Sequence, residues 1–161
     1  MADLTSFAAT AETGTPDQIF AALESLVQTE VGAVIFSCST FDLRSGQSRR
    51  IYTNLPLIYP VSGLKEIIPN IWTKQVLDGG KSFVANTIEQ IRQVFPDHEI
   101  IEKLGCGAVV NMPVFLAGQF LGTVNVLHRT QYYQPPLVQK LHDLRLAAML
   151  AFASLALADR S

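Results

Sequence analysis

Cys106 stands between Gly105 and Gly107 in the stretch KLGCGAVVNMPVF, residues 103–115. A thiol acts as a nucleophile only as its thiolate, which calls for a helix N-terminus, a cation or a metal beside it. The segment before Cys106 reads as a helix that stops at Gly105. Cys106 therefore follows a helix C-terminus, whose negative dipole end disfavours the thiolate. The only other cysteine, Cys38, falls in a different predicted strand. Two cysteines so far apart fit neither a metal finger nor a disulfide framework.

The three histidines, His98, His128 and His142, offer no pair at metal-binding spacing, such as the four-residue separation used on zinc-protease helices. His98, in PDHE, can ligate a haem or hydrogen-bond a ligand. His128 ends a predicted strand and His142 lies on the last helix. No glycine-rich phosphate loop and no Gly-x-Ser-x-Gly elbow occurs. The residues thus form no catalytic constellation and no metal site, and they specify no cofactor. Asn111 and Asn125 stand out differently, because each interrupts an apolar strand and a buried amide requires partners.

These side chains must be positioned by a chain of 161 residues, enough for one domain with a real core. Hydrophobic residues make up 48% and charged residues 16%, which describes a globular protein and not a disordered one. A net charge of −2 supplies no electrostatic footprint for nucleic acid, and the doublet Arg49-Arg50 is too small to supply one locally. The first 14 residues lack the basic region and apolar core of a secretion signal, and they read as a flexible lead to a domain spanning 15–161. The longest apolar run, 146–158, falls short of the ~20 residues that a membrane-spanning helix needs. A cytoplasmic protein is the expectation.

The element order follows from local signals. TPDQ at 15–18 combines a capping threonine, a proline at the first helical position and a capping-box glutamine, so a helix starts there and runs to Gly32. AVIFSCSTF at 33–41 reads as a strand, with Phe36, Cys38 and Thr40 on one face and Ile35, Ser37, Ser39 and Phe41 on the other. A hairpin loop returns the chain as a strand at 49–54. An irregular connection with Pro56, Pro60 and Gly63 leads to a second helix from about Pro69 to Leu77. A short strand at 81–86 follows, then a helix broken at Pro96, with Asp97 as the cap of its second part.

Residues 107–116 and 119–129 form the strongest strand pair, joined at Ala117-Gly118. A two-residue loop sets Asn111 opposite Val124 and Asn125 opposite Val110, so the amides point to opposite faces. A three-residue loop sets the two amides opposite each other on one face. From Pro135-Pro136 one long helix is predicted. Leu137, Leu141, Leu144, Ala148, Ala151, Leu155 and Ala158 make a heptad seam, and Leu146, Leu150, Ala153 and Leu157 make a second stripe. Two apolar faces call for two partners, which points to a homodimer through a helical bundle. Cover from within the chain, by the first helix, is the alternative.

This order, with NMPVFLAGQFLGTVNVLH (111–128), GKSFVAN (80–86) and the terminal helix, resembles the GAF domain, a sensor fold related to PAS, over about residues 16–158. The resemblance implies an α+β fold. Its antiparallel sheet carries the N- and C-terminal helices on one face, and a helix and loop roof, about 56–105, covers the other. A small ligand is expected under that roof, in contact with Trp72, Phe83, Asn86, Phe95, His98, Cys106 and Asn111. Core packing accounts for the aromatic residues equally well. The implied function is a small-molecule-binding regulatory domain without enzymatic activity. Its ligand is unidentified, and it acts as a homodimer in signal transduction with a separate effector protein. The alternatives are a thiol redox enzyme similar to the GAF-type free-methionine sulfoxide reductases and a ligand-free structural dimerisation module. The chain departs from those reductases, whose chemistry clusters cysteines over the pocket. It also departs from bilin-attaching domains, which commonly follow the cysteine with a histidine, and it shows no ordered match to the cyclic-nucleotide signature.

Overall fold

The computed structural model describes residues 2–160 and is organised around a six-stranded antiparallel sheet. The strands are β1 (Ile35–Asp42), β2 (Gln47–Thr53), β3 (Lys65–Glu66), β4 (Phe83–Ala85), β5 (Ala108–Leu116) and β6 (Gln119–His128). Their order across the sheet is β3-β2-β1-β6-β5-β4. The chain enters through helices α1 (Leu4–Thr13) and α2 (Pro16–Glu30). It leaves through α6 (Pro135–His142) and α7 (Arg145–Ala158). Between β3 and β5 lie three short helices, α3 (Ile71–Thr73), α4 (Ile88–Arg92) and α5 (His98–Lys103), and a π-helical turn at Lys74–Asp78.

The strand alternation divides the core in two, as the α+β reading requires. Phe36 and Cys38 of β1, Val110 and Met112 of β5, and Val124 and Val126 of β6 meet Phe20, Leu23 and Val27 of α2 and Ala148, Ala151 and Phe152 of α7. On the opposite face Ile35, Val109 and Leu127 meet a roof of Trp72, Val76, Ile91, Val94 and Ile101. Helix α2 begins at the expected capping box: Thr15 Oγ1 accepts from the Gln18 backbone N–H and Gln18 Oε1 accepts from that of Thr15.

Five expectations need correction. Residues 1–14, read as a flexible lead, contain α1, which buries Phe7 in the helical layer with α2 and α7. The second helix starts at Ile71, not Pro69, because Asn70 caps it through the Thr73 backbone N–H, and it continues as the π-helical turn. Asp97 precedes α5 but makes no side-chain cap, since its carboxylate is engaged by Tyr59 and Arg50. The single terminal helix is two helices, α6 and α7, bent by 46°. Among the described residues no single helix is long and apolar enough to cross a membrane.

The fifth correction concerns register. The turn is the expected two-residue one, with Ala117 at φ 51° and Gly118 at φ 76° as a type I′ hairpin needs. Yet Asn111 pairs with Asn125, because the register shifts by one between Val114↔Gly122 and Phe115↔Phe120. Leu121 is the extra residue. A bulge of one residue flips every position beyond it to the other face. It therefore does what a three-residue loop would have done.

Candidate functional site

Beneath the roof lies a cavity of about 250 Å³. Its floor comes from alternate residues of three adjacent strands: Ser37 and Ser39 of β1, Thr123 and Asn125 of β6, and Asn111 of β5. The ladder sets Ser37 opposite Asn125, Ser39 opposite Thr123 and Asn125 opposite Asn111, so these polar groups form one contiguous patch. Phe41, Trp72 and Phe95 make aromatic walls, with ring centroids 5.9 Å (Phe41–Trp72) and 6.3 Å (Trp72–Phe95) apart. Apolar walls around a few convergent polar groups are the usual make-up of a ligand site.

The floor is wired in one direction. Indole Nε1–H can only donate, and it donates to Asn111 Oδ1 at 2.9 Å. That assigns the Asn111 amide, whose Nδ2 then donates to Asn125 Oδ1 at 2.8 Å. The Asn125 Nδ2 is left to donate to Ser37 Oγ at 3.3 Å and Ser39 Oγ at 3.2 Å. Both buried amides are thereby satisfied, as their burial in apolar strands demands. Thr123 is different: its Oγ1 is buried and has no partner.

At the edge of the cavity a second cluster ties sheet to roof. The Tyr59 hydroxyl donates to Asp97 Oδ2 at 2.7 Å, and Arg50 NH2 approaches the same oxygen at 3.5 Å. The Arg50 guanidinium stacks 3.6 Å above the Tyr59 ring and donates to the Pro60 carbonyl at 2.8 Å. Burial and the neighbouring Asp97 carboxylate push the Tyr59 hydroxyl pKa far up, so it stays a donor at any physiological pH.

Of the expected ligand contacts, Trp72, Phe95 and Asn111 line the cavity, whereas Phe83, Asn86, His98 and Cys106 do not. Phe83 packs edge-on against Phe95 from behind. Asn86 is a brace: its amide donates to the Tyr133 carbonyl and accepts from the Tyr133 backbone N–H. His98 is half-buried at the start of α5, with an unpartnered Nδ1. Cys106 sits at the end of α5, its N–H bonded to the Ile101 carbonyl, and burial raises its thiol to about 11. Burial and the nearby Glu24 carboxylate also raise Cys38, which faces the helical layer, so the two sulfurs lie on opposite sides of the sheet. Neither has the environment of a reactive thiol. Among the described residues no group of three or more His, Cys, Asp or Glu could hold a metal ion.

Ser37, Ser39, Thr123 and Asn125 were not expected at the site. Their signal was present in part, since the face of β1 opposite Phe36 and Cys38 carries two serines where a purely structural face would be apolar.

No protein-family model matches the chain, and no curated protein matches it. Solved structures do. The GAF domain of a sensor histidine kinase from Bacillus halodurans superposes with a TM-score of 0.69 at 11% identity, over 89% of this chain and 97% of that one. The GAF domain of an Acinetobacter phosphoenolpyruvate-protein phosphotransferase gives 0.73 at 10% identity, over 98% and 95%. The chain has the GAF fold. A third GAF neighbour, the phycocyanobilin-bound domain of a cyanobacterial phytochrome, gives 0.67 at 16% identity, over 93% and 90%. In this GAF-fold chain the sheet face opposite the terminal helices is the one that carries the cavity.

Proposed function

We propose that this GAF domain is a sensory module that binds a small molecule beneath the 56–105 roof and passes the event to its terminal helices, with output through a separate effector protein. The observation that carries this reading is the wired polar floor, which leaves the buried Thr123 Oγ1 unpartnered inside a cavity of about 250 Å³. A volume below the ~300–1,000 Å³ of drug-sized sites suits a compact metabolite. The GAF neighbours from a sensor kinase and a bilin-bound phytochrome support the reading by analogy of fold. Two free cysteines are compatible with the reducing cytoplasm, where we place the protein.

The route from ligand to helices is short. Asn111 faces the cavity while its neighbours Val110 and Met112 face α2 and α7 from the same strand. Asn125 stands between Val124 and Val126 in the same way. A ligand that binds one setting of β5 and β6 more tightly than another biases the packing of α7 by that difference in affinity. On α7, Leu146, Leu150 and Leu157 are 60%, 48% and 66% exposed, while the seam at Leu144, Ala148 and Ala151 is buried. We assign the exposed stripe to a homodimer.

A thermal-shift screen of central metabolites tests the ligand. A cognate compound at 100 times its Kd should stabilise the domain by about 2.7 kcal/mol. Absence of stabilisation by any compound would favour a structural dimerisation module. Sedimentation should show a dimer at micromolar concentration that dissociates in Leu146→Glu/Leu150→Glu, and a wild-type monomer would remove the homodimer.

A further inference from the structure

We infer that the ligand is a small uncharged molecule whose carbonyl-type oxygen accepts hydrogen bonds from Ser37, Ser39 and Thr123, an inference that rests on the cavity being a ligand site.

The direction of the floor network decides the polarity of what it presents. Trp72 can only donate, so each later link is fixed: Asn111 donates to Asn125, and Asn125 donates to the two serine oxygens. Ser37 and Ser39 therefore enter the network as acceptors, and their hydroxyl protons have no acceptor among the described residues. Thr123 Oγ1, 0% exposed and opposite Ser39, has no partner of either kind. Three hydroxyl donors thus converge on one patch of the cavity. At the buried Ser37 and Thr123 a donor without an acceptor is costly, and a ligand oxygen brought against the patch removes that deficit.

Charge narrows the class further. Four charged side chains line the cavity, Arg50, Lys65, Glu66 and Asp97, and their formal charges cancel. Arg50 is already bonded to the Pro60 carbonyl and paired with Asp97, and Asp97 also accepts from Tyr59. Lys65 and Glu66 are exposed on the edge strand β3. The floor residues themselves carry no charge, and the two unpaired ions of the lining, Lys65 and Glu66, stand on the exposed edge strand and not at the floor. A neutral ketone, amide or lactone matches both the donors and the aromatic walls of Phe41, Trp72 and Phe95.

Trp72 is the only tryptophan, so its indole N–H resonance reports on the cavity directly. The full chain is titrated with four probes of similar size: acetophenone, ethylbenzene, benzoate and benzylamine. Acetophenone should bind about tenfold tighter than ethylbenzene, the effect of one to two net hydrogen bonds. Benzoate and benzylamine should bind more weakly than acetophenone. In Ser37→Ala/Thr123→Val, which leaves Asn125 its bond to Ser39, the preference for acetophenone should fall to within about twofold. Equal binding of acetophenone and ethylbenzene, tightest binding by a charged probe, or a preference undiminished in the double variant would each overturn the acceptor class while leaving the cavity a ligand site. A Trp72 resonance unmoved by all four probes would overturn the ligand site and the acceptor class together.

Discussion

Asn111 Nδ2 donates to Asn125 Oδ1 at 2.8 Å, across the β5–β6 ladder, with only valine and methionine flanking the two amides along their strands. Because the bond is buried, losing either partner leaves the other with an unmet group. Asn125→Ala should cost about 1–3 kcal/mol, and Asn111→Ala a similar amount because it also strands the Trp72 Nε1–H. The Asn111→Ala/Asn125→Ala double variant should cost less than the sum of the singles by about 0.5–3 kcal/mol. Urea denaturation of the four proteins measures this, and strictly additive values would show that the amides do not act as one unit.

Gly122 is the place where the β6 bulge passes under the helical layer. A Cβ there would run into the Ser39 carbonyl and come within 2.5 Å of the Phe152 ring, at a φ of 156°. Both neighbours are held, one by the ladder and one in the core, so neither can yield cheaply. Gly122→Ala should destabilise by about 1–3 kcal/mol. A thermal midpoint within a degree of wild type would mean that the bulge has more room than the backbone shows.

Phe7 anchors α1 to the helical layer and is 4% exposed. Phe7→Ala should lower stability by about 3 kcal/mol, at the low end for a buried aromatic because α1 lies at the periphery. Removal of residues 1–14 should destabilise at least as much. If the truncated domain melts with the full chain, the helix contributes nothing and the region behaves as a lead segment after all.

Cys106 has a pKa raised by burial from 9.0 to about 11. The sign follows from linkage: the folded state holds the proton more tightly, so its contribution is fully present below pH 9 and is lost as pH rises toward 11. Burial shifts Cys38 and Tyr133 in the same direction. Thermal midpoints should therefore decline above about pH 9, less steeply in Cys106→Ala, and native thiols should react with iodoacetamide roughly 100-fold more slowly at pH 7.5 than free cysteine. Rapid labelling at neutral pH would revive thiol chemistry for this chain.

Local codes in the sequence were enough for several elements. Thr15, Pro16 and Gln18 carry a complete N-terminal capping box, so α2 is specified by four consecutive residues. The apolar and polar alternation of β1 assigns Phe36 and Cys38 to the helices and Ser37 and Ser39 to the other face, where they are found. The aromatic walls Trp72 and Phe95 were also within reach, because both belong to the segment that forms the roof. Helix α1 was not legible. Its sequence, LTSFAATAET, carries one strong apolar anchor, and packing of Phe7 on α2 and α7 supplies what propensity does not.

The sequence by itself determined α2, the β1–β2 and β5–β6 hairpins, the helix broken at Pro96 and the two-faced alternation of β1. The tertiary structure alone decided that Asn111 and Asn125 share a face, that Asp97 serves Tyr59 and Arg50 in place of its own helix, and that Asn86 braces Tyr133 outside the cavity. The physical reason is the period of the strand. Side chains alternate every residue, so one bulged leucine reverses the face of everything beyond it, and no local signal around Asn111 or Asn125 records that the bulge at Leu121 is there.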